Sequence, residues 1–379
     1  MQNNDDCQSG RFNAGQPLMK VSHFALTDLD SLRQNWQQLE QSAVTTFFLS
    51  WQWMGTWIET YAKPLFVLEV RAADGEVVGL GLLRQQQRRK FNLWPSNRLY
   101  LHQLGDEKLD QIWIEYNGIL CHREHQCTVE AAVFNYLKQH LDWDEWVVSG
   151  IAQNDLTRYQ NGLALPGFLR WSAPCYGVDL AQLRLDAAEY RQTLSANTRY
   201  QVNRTQRLYE QKGMLSVSRP TDLSQALDYF AEISPLHIKR WSGHKETSGF
   251  LNANFVSFHQ NLISRHWPAN IDLLKVCAGD EVVGIIYNFI YRKTIYFYLG
   301  VFNADNDKKL KPGLLSHTLC IEEYQKSGFD YYDFMGGDEQ YKNQLGVVHN
   351  ELSQFCFVRS SLLYFIERDM KKVKCFLFN

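Results

Sequence analysis

Apolar positions along the chain recur at two spacings, and the order in which those spacings follow one another is itself repeated. Trp53, Trp57 and Tyr61 stand four residues apart, which predicts a helix over 52–61. Residues 67–72 then read as a strand, Asp74 and Gly75 supply a turn, and a second strand opens with Glu76-Val77-Val78-Gly79. A helical pattern over 128–141 and an aromatic strand over 143–150 complete the series. The series returns in the second half. Phe255, Phe258 and Leu262 share one face of a helix predicted over 253–266, and residues 273–278, Gly279-Asp280 and Glu281-Val282-Val283-Gly284 repeat the hairpin. A helix over 314–326 then leads into a strand over 329–337. Helix, hairpin, helix, strand, met twice, predicts an α/β (α+β) chain of two similar tandem domains, each a mixed sheet flanked by helices.

Between the halves, residues 186–212 read as helical and carry Arg191, Arg199, Arg204 and Arg207. A break is expected near Ser195, which can cap the following segment, and Gly213 is a natural stop. The expected organisation is a polar tail over 1–20, a first domain over 21–180, a basic helical connector over 181–213 and a second domain over 214–379. The last stretch, 361–379, mixes Leu362, Phe365, Ile366 and Phe376 with Lys371, Lys372 and Lys374. It is expected to pack against the second domain rather than to lie in a membrane interface.

Composition narrows the partners. Lys and Arg number 39 against 41 Asp and Glu, a formal net charge of -2, so no global field draws the chain to DNA or anionic lipid. The tail over 1–20 has no apolar core of signal-peptide length, and no run reaches the roughly 18 apolar residues that cross a bilayer. Eight scattered cysteines do not form the framework of a small secreted domain. A cytoplasmic protein is expected, at most peripheral to the inner membrane. Cys121, His122, His125 and Cys127 suggest zinc, but adjacent Cys and His ligands do not easily reach one tetrahedral ion, so no metal is expected. Walker loops, Gly-x-Ser-x-Gly elbows, His-Glu-x-x-His helices and dinucleotide fingerprints are missing, which removes kinase, hydrolase and dehydrogenase readings.

The second half carries a more specific set of segments: Ser195-Ala-Asn-Thr198-Arg199 with Arg204 and Arg207, His237 to Trp241, Leu310-Lys311-Pro312-Gly313, and Asp333-Phe-Met-Gly336-Gly337-Asp338-Glu339-Gln-Tyr341-Lys342. Together they resemble the GNAT superfamily, in the CelD-like branch named after cellulose biosynthesis and related to the Fem-type aminoacyl transferases of peptidoglycan bridges. The resemblance covers about residues 45–350 and is strongest from Ser195 onward. It implies two GNAT-like folds in one chain, in agreement with the repeat, and acyl transfer from a thioester or ester donor to an amine or hydroxyl.

The usual GNAT pyrophosphate loop reads Arg/Gln-x-x-Gly-x-Gly/Ala before a helix. Here Leu310 stands first, Gly313 is the one glycine and Leu315 stands last. A helix start can still offer amides and a positive dipole end to an anion, with Lys308, Lys309 and Lys311 beside it. Lys311, Gly313, Leu314 and Leu315 are therefore donor-binding candidates. Tyr298, in the expected splayed strand over 296–301, joins them. The first domain has no such loop and reads as a degenerate, structural or acceptor-shaping half.

Acyl transfer also needs a base for the acceptor and an acid for the leaving group. Carboxylate, phenol and ammonium gather after the last strand, which makes Asp338 or Glu339 the expected base, Lys342 an anchor, and Tyr341 and Asp333 members of the site. His237 is a further base candidate. Pro235 is expected to open its helix, and Arg240 and Trp241 suit an acceptor bearing a carboxylate or a sugar. The expected activity is transfer of an acyl group, acetyl foremost, from acyl-CoA to a small-molecule or glycan-precursor acceptor of the envelope or of polysaccharide synthesis. The rivals are a Fem-type transferase that takes its donor from aminoacyl-tRNA and a non-catalytic component of exopolysaccharide synthesis.

Overall fold

The computed structural model of the 379-residue chain describes residues 19–61, 63–90, 94–242, 247–303, 307, 309–360 and 365. The polar tail over 1–18 and nearly all of 361–379 lie outside the described residues. The chain divides into two units, one formed by 1–172 with 352–379 and the other by 173–351. The stretch 181–213 falls within the second unit.

The first unit runs β1 (Lys20–Ala25), α1 (Leu29–Ser42), α2 (Trp51–Tyr61), β2 (Phe66–Arg71), β3 (Val77–Lys90), β4 (Trp94–Leu101), β5 (Leu120–Cys121), α3 (Gln126–His140), β6 (Glu145–Ala152), α4 (Gln153–Leu163) and the start of β7 (Gly167–Asp179). The second unit begins inside β7. It continues through α5 (Leu180–Leu185), α6 (Tyr190–Thr193), α7 (Ala196–Glu210), β8 (Leu215–Ser218), α8 (Leu223–Trp241), α9 (Ala253–His266), β9 (Ile271–Ala278), β10 (Glu281–Tyr291), β11 (Thr294–Phe302), α10 (Pro312–Lys326), β12 (Tyr331–Gly336), α11 (Gln340–Leu345) and the start of β13 (Val347–Val358).

Both units build the same sheet. In the first, β1-β2-β3-β4 are antiparallel neighbours, β4 and β6 are parallel, and the Leu352–Val358 part of β13 lies antiparallel to β6. In the second, β8-β9-β10-β11 are antiparallel, β11 and β12 are parallel, and the end of β7 lies antiparallel to β12. The predicted repeat is therefore α2, β2–β3, α3, β6 against α9, β9–β10, α10, β12. The turn glycines Gly75 and Gly279 adopt φ of 90° and 60°, which residues with a Cβ rarely do. In each unit the last strand comes from a distant part of the chain, which the sequence pattern does not reveal.

Period-two alternation along the strands of the second unit separates two faces. Ile286, Ile295, Phe297, Tyr332 and Phe334 enter one core with α5, α6, α7 and α10. The opposite face carries Tyr287, which meets Phe230 of α8 and His259 of α9. Ser195 caps α7 by accepting from the Thr198 amide at 3.2 Å, as its position predicts, and Gly213 N–H closes the helix end on Tyr209 O at 3.1 Å. Pro235 does not open its helix. Asp222 caps α8, and the proline sits well inside it.

At the sheet's flank the buried Asp272 accepts from Arg219 Nε at 2.9 Å and from Tyr324 OH at 2.8 Å, and Tyr324 in turn accepts from Asn288 at 2.7 Å. This network ties α10 to β9 and β10. Among the described residues no helix is long and apolar enough to cross a membrane. No group of three or more His, Cys, Asp or Glu there is placed to hold a metal ion.

Candidate active site

The parallel pair β11 and β12 stays in register for only three positions, Thr294 with Tyr331, Ile295 with Tyr332 and Tyr296 with Asp333. Beyond Tyr296 and Asp333 the two strands share no further register pair, and a fork opens in the sheet. β11 is bulged at this point: Leu299 faces Tyr287 and Phe297 faces Asn288, so Tyr298 is the extra residue that interrupts the β10 ladder. Its hydroxyl meets His259 Nε2 at 3.2 Å on the α9 side. The expected strand over 296–301 is thus the splayed one, with Tyr298 at its bulge.

A pocket of about 690 Å³ lies at the open end of this fork, within the second unit. Val301 and Phe302 of β11, Pro312 to Leu314 of α10, Tyr341 of α11, Asn197 and Gln201 of α7, and Leu236, Lys239 and Arg240 at the end of α8 contribute to its wall. Pro312 at N1 has no N–H to lose, and no side chain caps the helix. The Gly313 and Leu314 amides belong to the first turn, whose donors have no partner within a helix, whereas Leu315 N–H already bonds Lys311 O at 3.1 Å. Lys239, Arg240 and Lys311 line the pocket, and among the described residues no Asp or Glu does. Amides, dipole and three cations suit this wall to an anion.

Of the expected donor-binding residues, Lys311, Gly313 and Leu314 line the pocket, while Leu315 is wholly buried in the core behind it and Tyr298, with its hydroxyl on His259, does not line it. Lys308 lies outside the described residues. Lys311 is set in place by its own N–H, which donates to Thr205 Oγ1 of α7 at 3.2 Å. The arginines of the basic stretch are engaged with their own unit. Arg191 pairs with Glu322 at 2.7 Å, Arg199 donates to Leu194 O at 3.1 Å, Arg204 to Lys309 O at 2.9 Å and Arg207 to Asn203 O at 3.3 Å.

The segment after β12 folds as a tight turn. Gly337 adopts φ of 146°, and a Cβ there would stand 2.2 Å from Glu339 Oε2 and 2.5 Å from Lys342 Nζ. Lys342 is buried and its ammonium donates to Gly336 O at 2.7 Å and pairs with Glu339 at 3.2 Å. Asp338 and Glu339 are exposed. Tyr341 points into the pocket wall, and its hydroxyl has no hydrogen-bond partner among the described residues. Burial, reinforced by the Glu339 carboxylate and opposed by Arg240, pushes this phenol above its ordinary value, so it holds its proton at neutral pH.

Behind Tyr341 stands a residue that the sequence pattern did not single out. His317 of α10 is fully buried and stacks on the Tyr341 ring at 5.3 Å with 13° between planes. Desolvation, with a smaller push from Lys342, lowers it to about 3, so it is neutral. Its spacing of one helical turn beyond Gly313 was the available signal. His237 is turned away: Nδ1 bonds Ser248 Oγ at 2.7 Å, its ring meets Phe250 at 5.3 Å, and burial followed by Arg240 lowers it to about 4. Arg240 lines the pocket and Trp241 does not. Asp333 lies at the root of the fork, 3% exposed.

The equivalent fork of the first unit is filled by its own chain. β4 and β6 also keep three register pairs, Arg98 with Glu145 to Tyr100 with Val147. Beyond them Asn117 N–H donates to Gly150 O at 2.9 Å, and a Cβ on Gly150 would stand 2.2 Å from Ile114 O. The segment through Ile119, whose N–H bonds Tyr159 OH at 2.9 Å, occupies the space that the second unit leaves open.

Residues 196–343 match the Acetyltransferase (GNAT) domain. Among solved structures the chain is similar to the crystal structure of FemX, at 14% identity and a TM-score of 0.55 over 91% of this chain and 99% of that one. It is also similar to L-PGS from Bacillus licheniformis, at 14% identity and a TM-score of 0.49 over 88% and 94% of the two chains. For the tandem GNAT protein from the clavulanic acid biosynthesis pathway the values are 10% and 0.44 over 90% and 99%. No curated protein matches the chain significantly. The likeness to FemX speaks for the fold. The match places an Acetyltransferase (GNAT) domain within the second unit and supports a transferase, and the chain folds as the two tandem units expected from the repeat.

Proposed function

We propose that the second unit transfers an acyl group, acetyl foremost, from acyl-CoA to an amine or hydroxyl of a polar envelope or polysaccharide precursor. The observation that carries this reading is the single pocket wall that joins the β11–β12 fork to the uncapped start of α10 and to Lys239, Arg240 and Lys311. A thioester donor needs an anion site for its pyrophosphate and a place beside open main chain for its carbonyl, and both requirements meet there. The acceptor's lone pair attacks the carbonyl carbon while its proton passes to a base of the site, the carbon–sulfur bond breaks, and the leaving sulfur takes the phenolic proton of Tyr341, which is restored by exchange with solvent. Neutral His317 stacked behind the ring fixes its orientation without competing for that proton. Glu339 and Lys342 hold the turn that presents Tyr341, with Asp338 exposed beside them. The narrower resemblance to the CelD-like branch, the cytoplasmic location and the polysaccharide acceptor belong to this same proposal.

Titration calorimetry with CoA and acetyl-CoA, followed by thiol release with amino-sugar and polyamine acceptors, tests it. Micromolar donor binding with acceptor-dependent release of free CoA is expected. No binding of either compound, together with radiolabel passing from aminoacyl-tRNA to an acceptor, would replace it with the Fem-type alternative. The 191–207 arginines, which such a donor would call on, are engaged with their own unit.

A further inference from the structure

Asp333 sits at the last register pair before the fork, on the face opposite to Tyr332 and Phe334, which enter the α10 core. Its Oδ1 accepts from the Met335 amide at 2.7 Å and lies 3.4 Å from His349 Nε2 on β13. That residue is in the second unit, and its side chain is 27% exposed. The His349 ring packs edge-on against Tyr331 at 5.2 Å. No partner of its Nδ1 occurs among the described residues.

We infer that His349 is the catalytic base of the second unit and that Asp333 is its positioning residue. A buried carboxylate on Nε2 selects the tautomer with hydrogen on that nitrogen, which leaves the Nδ1 lone pair directed outward. The acceptor, approaching from the α8–α9 face, gives its proton to Nδ1 as its nitrogen or oxygen bonds to the acyl carbon. Electrons of the broken carbon–sulfur bond leave on sulfur, which is protonated by Tyr341 from the α10 face. Asp333 accepts from Nε2–H and stabilises the imidazolium, and the imidazole and the phenol return to their starting states by exchange with solvent. The donor pocket is walled by α7, α10, α11 and the C-terminal end of α8, whereas Asp333, with His349 beside it, stands on the face of β12 turned away from the α10 core.

This inference rests on the acyl-transfer reading, and the test separates the two. Acetyl-CoA is the donor, and D-glucosamine and hydroxylamine are the acceptors; hydroxylamine is unprotonated at neutral pH and needs little help from a base. His349→Gln is expected to lower transfer to glucosamine about a hundredfold, to abolish the acidic limb of its pH profile, and to change transfer to hydroxylamine less than about threefold. Asp333→Asn should move that limb while leaving the calorimetric affinity for CoA unchanged. Asp333 and Tyr331 of β12 touch the ring, and Tyr296 of β11 and Cys175 and Asp179 of β7 are the titratable groups coupled to that part of β12. Equal loss with both acceptors, or a limb that persists in His349→Gln and disappears in Glu339→Gln or Asp338→Asn, would overturn the assignment and leave acyl transfer standing. Wild-type protein that binds CoA and transfers to neither acceptor would overturn it too. Wild-type protein that does not bind CoA would remove the acyl-CoA reading itself, and this base with it.

Discussion

The imidazole of His317 lies nearly parallel to the phenol of Tyr341, 5.3 Å between ring centroids and 13° between planes. One ring is sealed in the core and the other faces the pocket. Tyr341→Phe keeps the stack and removes only a hydroxyl that no described residue bonds. Transfer should fall about a hundredfold while the thermal midpoint moves by less than about 2 °C. Steady-state thiol release beside a melting curve checks this. A parallel loss of stability would mean the hydroxyl is structural.

Lys239, Arg240 and Lys311 face the pocket without a compensating carboxylate among the described residues. Lys239→Glu with Arg240→Glu should therefore weaken CoA binding by tenfold or more, about 1.4 kcal/mol, with little change in turnover at saturating donor. The wild-type dissociation constant should also rise with added salt. Affinity independent of both charge and salt would take the pyrophosphate away from this wall.

Gly337 holds a backbone conformation that residues with a Cβ rarely adopt. Gly337→Ala would meet the Glu339 carboxylate and the Lys342 ammonium and would force an L residue to φ of 146°. A loss of about 1–3 kcal/mol is expected in urea unfolding, with loss of turnover as the Tyr341 turn shifts. Unchanged stability would show that the turn relaxes freely.

Burial alone holds His259 at about 3, and burial together with Lys342 holds His317 there, against an ordinary value of 6.5. Below about pH 6.5 the unfolded chain takes up protons that these folded sites refuse, so stability falls as pH drops toward 3. Each site contributes roughly 1.4 kcal/mol per pH unit within that window. Asp110 of the first unit acts in the opposite sense: burial, opposed by three backbone amides, raises it to about 6, so its folded form gains a proton first. The difference between wild type and His259→Phe isolates one histidine. From pH 7 to pH 5 the variant should lose less stability in urea than wild type, and identical losses would show that His259 titrates normally.

The chain's local periodicities determined a good deal. Four-residue spacing of Trp53, Trp57 and Tyr61, the two Glu-Val-Val-Gly hairpins with Gly75 and Gly279 at their turns, and Ser195 before α7 are properties of neighbouring residues. Those properties set dihedral preferences and the buried face of each element. They fixed the order of helices and strands and so the duplication.

What the pattern could not carry is every contact made by residues far apart. Whether β11 and β12 part after Tyr296 and Asp333 depends on a bulge at Tyr298 and on what packs on either side. Ile114 to Ile119 fill the matching fork of the first unit, although nothing in their composition marks them for it. The role inferred for His349 depends on β13 carrying it to Asp333, and the carbonyl groups that hold Arg199 and Arg204 come from other segments of their own unit. The sequence by itself settled which segments are helices and strands, since those follow from short-range spacing. Tertiary packing alone decided where the sheet opens and which side chains meet at the opening, because these depend on pairings between residues that do not neighbour one another along the chain.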